Sequence, residues 1–369
     1  MLLFGKAFTG KSTFALQSAY LKNPDGTPFK LLILDPESGG VDDYLPDLEK
    51  NGVNLENIYI VYTQSLTEVR EYIKKAKDNE DFYELDDDGN ETDAVILDGD
   101  GKPFRPDMII VDGATVLNLT TKHGLVDFSK RRASVKAAQA GLVGDEKFVK
   151  IESAFLELKD YQVINFKGQD LILDLTGSGK HYIITAREIA EKETKEINGK
   201  DVSVLTGEFI PEGFKEMDYN TKTVIRLYRD ADDFETVKAF IRKDRTHTHS
   251  AGEMIDDPSV IDWQSVIDKS AGKDDFVINN NLEKAIEAEA KAYEGAVMQN
   301  TPTPETPANT GENDNSVDGL KKAIKEKIGQ LTPTQKSEAQ NRLTDAGLPR
   351  AYTKVTDMEV LQKILEVFS

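Results

Sequence analysis

The chain predicts an α/β fold, a mostly parallel sheet flanked by helices, with a small all-α module at its C-terminal end. Two observations carry this reading. Four short apolar runs, at residues 1–4 (MLLF), 31–35 (LLILD), 58–63 (IYIVYT) and 108–113 (MIIVDG), are separated by a glycine-rich loop and stretches of helical spacing. Unbroken apolar strands alternating with helices belong to a parallel sheet covered on both faces. The second is a Pro-rich break, after which apolar residues return in three helix-length pieces, 318–329, 333–346 and 357–368.

Taken in order, MLLF opens as a strand and Ser12 to Leu21 reads as a helix. LLILD is bounded by the turn-forming DPESGG, as a buried strand should be. Leu66, Val69, Ile73 and Ala76 fall on one face of a helix over 66–77. Residues 78–101 carry 11 acidic side chains and no Lys or Arg, and TDAVIL within them suits a strand. The expectation is an acidic surface hairpin inserted at about 78–104. A calcium loop starting at Asp86 fails, because Glu91 stands where glycine is required and Leu97 where a bidentate acid is needed. Beyond MIIVDG a helix start gives way to a small, basic stretch expected to be a flexible loop over 128–146. Phe148, Ile151, Phe155, Leu158 and Tyr161 then mark one face of a long helix across 146–175. HYIITAREI (181–189) is a strand, and 223–230 with 236–244 form a hairpin. The domain reading is a core over 1–280, a helix and disordered linker over 281–316, and the helical module over 317–369.

Composition bounds the function. Forty-six basic against 66 acidic residues give 46 − 66 = −20, which disfavours a generic polyanion binder but not a local basic site. Over half of that charge, −11, sits in residues 78–101, while the tail from 317 carries +2. No cysteine is present, which excludes disulfides, thiolate zinc sites and cysteine nucleophiles. The N-terminal apolar run is too short for a signal peptide and no run is long enough for a membrane span, so a cytoplasmic protein without a membrane partner is expected.

One motif carries chemistry. Gly5-Lys6-Ala7-Phe8-Thr9-Gly10-Lys11-Ser12 fits G-x-x-x-x-G-K-[ST] at every fixed position, and Thr13 follows it into the helix. Such glycines let successive backbone N–H groups turn inward on phosphate oxygens. Lys11 would reach the β- and γ-phosphates of ATP, and the Ser12 hydroxyl would ligate Mg²⁺. A Mg²⁺-nucleotide site also needs an acid at a neighbouring strand end, and Asp112 after Met108-Ile109-Ile110-Val111 is the best candidate. Asp35 is the rival, whereas Glu37 two residues on is placed to activate the attacking water.

These elements together resemble the RecA-like P-loop ATPase core, in particular phage-encoded, AAA-type NTP-binding proteins of the RecA-core single-strand annealing family. The resemblance rests on LLFGKAFTGKST, LLILDPESGG, MIIVDGAT, HYIITARE and VKAFIRKDRT in that order, over about residues 1–250. It implies that Glu37 is the water-activating glutamate, Asp112 the metal-holding acid, and Thr185 or Arg187 a γ-phosphate sensor. It also implies that Lys243 and Arg245 reach the nucleotide of an adjacent subunit, and hence a ring or filament. Two departures from the pattern are expected: a first strand beginning at residue 1 would leave no N-terminal oligomerisation arm, and the acidic insert would repel DNA. In such rings DNA-binding loops follow the metal-holding strand and the next one, here 128–146 and 187–216. The first holds Lys130, Arg131, Arg132 and Lys136, the densest cationic cluster of the core, suited to the phosphates of single-stranded DNA. The expectation is a Mg²⁺-dependent ATPase in phage-type recombination, annealing or replication, located in the host cytoplasm. A single-strand-binding or replication protein is a candidate partner for the tail. A helicase or helicase-loading motor is the alternative enzyme, and a nucleotide-gated assembly protein with slow hydrolysis the alternative of another class.

Overall fold

The computed structural model describes residues 1–86, 89–197, 199–269, 282, 284–291, 317–330, 342–344, 346–349, 355 and 357–367. The chain divides into two compact units, Met1–Lys291 and Ala292–Ser369. The expected linker over 300–316 and most of the helix expected over 333–346 lie outside the described residues.

The first unit runs β1 (Leu2–Phe4), α1 (Lys11–Leu16), β2 (Leu31–Asp35), α2 (Leu45–Lys50), β3 (Ile58–Tyr62), α3 (Leu66–Asp78), β4 (Tyr83–Leu85), β5 (Glu91–Val95) and β6 (Met108–Asp112). It continues through α4 (Ala114–Gln139), α5 (Gly144–Glu152), α6 (Leu158–Gly177), β7 (His181–Ile197), β8 (Lys200–Glu212), α7 (Met217–Asn220), β9 (Thr223–Asp230), β10 (Asp233–Asp244), β11 (Met254–Asp256) and α8 (Gln264–Asp268). The main sheet has the order β11-β10-β9-β1-β7-β6-β2-β3, with β8 attached to β7. From β9 to β3 every pairing is parallel, while β10, β11 and β8 join antiparallel. The expected mostly parallel α/β sheet is therefore present.

Alternation along each strand divides the core between the two faces of the sheet. Leu2, Phe4, Leu32, Leu34, Ile109, Val111 and Ile184 pack with α3, α4 and α6. Leu3, Leu31, Ile33, Met108, Ile110, Ile183 and Ile225 pack on the other side with α1 and with Trp263 and Ile267. The parallel strands finish in register: Phe4 lies opposite Ala186 and Arg226, and Asp112 lies opposite Thr185. This carboxyl edge is where open α/β sheets place ligands.

Three expectations are corrected. The flexible loop expected at 128–146 is instead helical to Gln139, as the second half of α4. Its Ala, Lys, Arg and Gln are strong helix formers, so propensity holds a helix that has no single apolar face. The long helix expected across 146–175 is two helices, α5 and α6, broken at 153–157. A reciprocal capping box between Glu157 and Asp160 starts the second. Nor does the expected apolar face lie in the core: Phe148, Phe155, Leu158 and Tyr161 are exposed, whereas Ile164, Leu171, Ile172 and Leu175 supply the packing. Finally, the loop expected at 187–216 is mostly a long antiparallel hairpin, with β7 continuing past the sheet edge to pair with β8.

The acidic insert does form a hairpin, β4 against β5, next to buried Phe82 and Phe104. In the second unit, helices Val317–Gln330 and Met358–Val367 bury Leu320, Ile324, Leu343, Leu361 and Ile364 together. Among the described residues, no helix is long and apolar enough to cross a membrane.

Candidate nucleotide site

The Gly5–Ser12 loop leaves the end of β1 and turns directly into α1. Gly5 admits no side chain, since a Cβ there would stand 2.1 Å from the Leu227 carbonyl oxygen. Gly10 caps the helix with φ +80°, a conformation favouring glycine. Thr9 is buried and its hydroxyl donates to the Lys6 carbonyl at 2.9 Å. Lys11 folds back over the loop, its Nζ donating to the carbonyls of Gly5 at 3.1 Å and Lys6 at 2.7 Å. Burial lowers the Lys11 pKa, and the nearby carboxylates of Glu37 and Asp112 act against that shift. A cation so placed is held where an anion would complete its solvation.

The two acids expected beside it arrive from separate strands. Asp112 ends β6 and is buried. The Thr185 hydroxyl, from the next strand, donates to its Oδ1 at 2.6 Å. Burial pushes the Asp112 carboxyl above its ordinary pKa, opposed by hydrogen bonds from Thr185 and Ser12 and reinforced by Asp35 and Glu37. Thus Ser12, Asp112 and Thr185 meet at one point.

Asp35, the rival acid, is spent elsewhere. It is fully buried, and its carboxylate accepts the backbone N–H groups of Glu37 at 2.9 Å, Ser38 at 3.1 Å and Gly39 at 3.1 Å. It therefore shapes the turn that carries Glu37. Glu37 in turn pairs with Arg187, whose Nη2 lies 3.1 Å from its Oε1. Gly113 lets Glu37 pass close by, since a Cβ there would lie 2.8 Å from the Glu37 Cγ.

Several residues of this neighbourhood carry no motif of their own in the sequence. Thr115 at the start of α4 accepts the Arg187 N–H at 2.9 Å and donates to the Glu212 carbonyl at 2.7 Å, tying β7, β8 and α4 together. Glu188 is held by Arg226, whose guanidinium lies 4.1 Å from the centre of the Phe209 ring. Arg229 reaches from β9 to the Phe8 carbonyl at 3.1 Å. The one sequence signal for these two arginines is the Arg-rich alternation of TVIRLYRD.

The remaining candidates stand apart. Lys243 lies opposite Val224, at the end of β9 away from the Gly5–Ser12 loop, and its Nζ donates to the carbonyls of Asp218 and Tyr219, both at 2.8 Å. Arg245 follows on that same edge and is exposed. Neither sits beside its own chain's Gly5–Ser12 loop. The four candidate cations of α4 are each paired: Lys130 with Glu152, Arg131 with Asp127, Arg132 with Asp160, and Lys136 with Glu157. Arg132 is the most enclosed, at 2.6 Å from a buried Asp160, whereas Arg131 is largely exposed. No family model matches the chain, and no curated protein is found to be similar to it.

Proposed function

We propose that the chain is a Mg²⁺-dependent nucleoside triphosphatase with a RecA-like P-loop core, using ATP and acting on single-stranded DNA in recombination, annealing or replication. One observation carries the nucleotide part. Lys11, Ser12, Glu37, Asp112, Thr185 and Arg187, read from four segments of sequence, converge at the carboxyl edge of β1, β2, β6 and β7. The strand order supports the same reading, since β7 stands between the strand bearing the loop and the strand bearing Asp112.

The donor set fits Mg²⁺, which takes few protein ligands and fills the rest of its octahedron with phosphate and water. Ser12 and Asp112 would hold it, and it would neutralise charge developing on the phosphates. The loop amides from Gly5 to Thr13 would cradle the phosphate chain, with Lys11 exchanging its two carbonyl partners for phosphate oxygens. Glu37 would orient and deprotonate the attacking water. Thr185, bonded to Asp112, and Arg187, bonded to Glu37, are the sensors in this reading, because both belong to the strand that becomes the β7–β8 arm.

The Arg187–Glu37 pair favours the slow, nucleotide-gated variant of the proposal, since it occupies the carboxylate that water activation needs. Release of that pair by DNA would couple binding to turnover. Lys130, Arg131 and Lys136 are the cations offered to DNA phosphates, and Lys243 and Arg245 would serve a neighbouring copy in a ring or filament. The C-terminal unit would recruit a single-strand-binding or replication protein.

The deciding experiment measures phosphate release with and without single-stranded DNA. Stimulation supports the DNA-coupled reading, and a flat, slow rate supports the gated assembly protein. Turnover retained in Lys11→Ala would remove the site assignment altogether.

A further inference from the structure

The loop carries a feature that phosphate binding does not require. Phe8 is 94% exposed and takes φ +61°, a left-handed conformation in which a bulky side chain is an outlier. A strained, solvent-facing aromatic at a ligand loop points from geometry toward function. It is also braced. The Arg229 guanidinium is anchored at two points: Nε donates to the Phe8 carbonyl at 3.1 Å, and Nη1 donates to the carbonyls of Phe234 and Glu235. Phe234, in the β9–β10 hairpin, is itself 70% exposed. One side chain therefore fixes two exposed phenylalanines to the same edge of the loop. Val237, just beyond, packs within 3.5 Å of where a Cβ on Gly10 would stand.

The sheet order says which end of a nucleotide meets them. Glu37 and Asp112 follow β2 and β6, on one side of β1, and β9 lies on the other. A triphosphate whose terminal phosphate faces Glu37 directs its base away from it, toward β9 and its hairpin. We infer that Phe8 and Phe234 form the nucleobase platform of the site, taking purine nucleoside triphosphates by stacking. Phenylalanine has no hydrogen-bonding group, so the platform holds ATP and GTP alike and pyrimidines less firmly, through their smaller ring face. This rests on the nucleotide reading of the Gly5–Ser12 loop.

The test compares equilibrium binding of ATP, GTP, CTP and inorganic tripolyphosphate, each with Mg²⁺, to the full chain and its variants. Phe8→Gly removes the ring while relieving the backbone, so folding is not at risk. It should weaken ATP and GTP by about tenfold, on the scale of one lost base–aromatic stack, and CTP by less. Tripolyphosphate affinity should fall by much less than ATP affinity, and Phe8→Trp should restore ATP. Phe234→Ala should act in the same direction. ATP affinity unchanged in both variants overturns the inference, as does an equal loss for ATP and tripolyphosphate, which would mean that the ring shapes the loop. Loss of ATP-dependent self-association without loss of affinity also overturns it. A wild-type chain that binds neither ATP nor tripolyphosphate removes the nucleotide reading itself, a result distinct from the others.

Discussion

Asp35 offers the sharpest test of how the fold prepares the site. Asp35→Asn preserves shape but leaves one acceptor oxygen where the carboxylate had two. If that oxygen keeps the Glu37 and Ser38 N–H groups, the amide nitrogen then faces the Gly39 N–H, donor against donor. One charge-assisted bond is lost, worth about 1.5–3 kcal/mol, and two fall to the value of neutral bonds, about 1 kcal/mol each. Relief from burying a charge, and water reaching the half-exposed Gly39, return part of this. The expected net loss is about 2–3 kcal/mol, or roughly 5 °C in melting temperature for a unit of this size. The effect on turnover should be larger than stability alone implies. A displacement of about 1 Å in a catalytic group costs on the order of 100-fold. ATP affinity should change little, because the hydrogen bonds of Asp35 go to Glu37, Ser38 and Gly39 and not to the Gly5–Ser12 loop. Urea unfolding, ATP binding and steady-state phosphate release on one preparation separate the three quantities. Turnover within twofold of wild type, with the stability loss present, would show that the carboxylate does not position the turnover machinery. Lost turnover in Asp35→Asn with activity kept in Glu37→Gln would remove Glu37 from the mechanism.

Other outcomes follow from the same geometry. Asp112→Asn should abolish Mg²⁺-dependent turnover yet stabilise the nucleotide-free protein by about 0.5–2 kcal/mol at neutral pH, since it removes a buried carboxylate. Burial raises the folded-state pKa of Asp112 above 3.8, so the folded chain holds that proton more tightly than the unfolded one. The stability advantage of the variant should therefore grow as pH climbs from 3.8 through the folded value, and fade below it in denaturation curves taken across pH. Lys11→Ala should lower turnover by at least about 100-fold while far-ultraviolet circular dichroism stays unchanged. Gly168→Ala would bring a Cβ within 2.4 Å of the Phe214 side chain, and should cost about 1–3 kcal/mol in urea unfolding with ATP affinity preserved. Arg131→Ala should reduce the salt slope of DNA binding by about one without lowering the melting temperature. Arg132→Ala should lower it by stranding Asp160, and equal thermal behaviour of the two would contradict this division.

What the sequence discloses and what it hides follow from how far each constraint reaches along the chain. The Gly5–Ser12 loop is set by eight consecutive residues, so its glycines, Lys11 and Ser12 are legible from local order alone. Asp112 is legible because four apolar residues run straight into it. Asp35 has the same local signature, and only the three backbone N–H groups that converge on it distinguish a scaffold from a ligand. The second half of α4 escapes a sequence reading because its apolar residues circle the axis. Its small Ala133 and Ala137 are buried while Phe128 and Val135 face out. The break after α5 depends on Asp160, whose carboxylate accepts both the Glu157 N–H and Arg132.

The β7–β8 arm is the most consequential departure from expectation, because it changes how the site connects to the rest of the molecule. Were they a loop, residues after Arg187 would move independently of Asp112 and Glu37. As a strand they do not. Thr185 bonds Asp112, Arg187 bonds Glu37 and, through its N–H, Thr115, and the same backbone then pairs with β8 as far as Ile197, with one register shift between Ala190 and Lys192. Thr115 closes the circuit by holding the Glu212 carbonyl at the base of β8. A shift of the arm must therefore move the two side chains that touch the acids, or break the Thr115 bonds. That mechanical link needs no flexible element between a surface ribbon and the acids Asp112 and Glu37, and it makes the arm the place where a bound partner would be felt by Glu37.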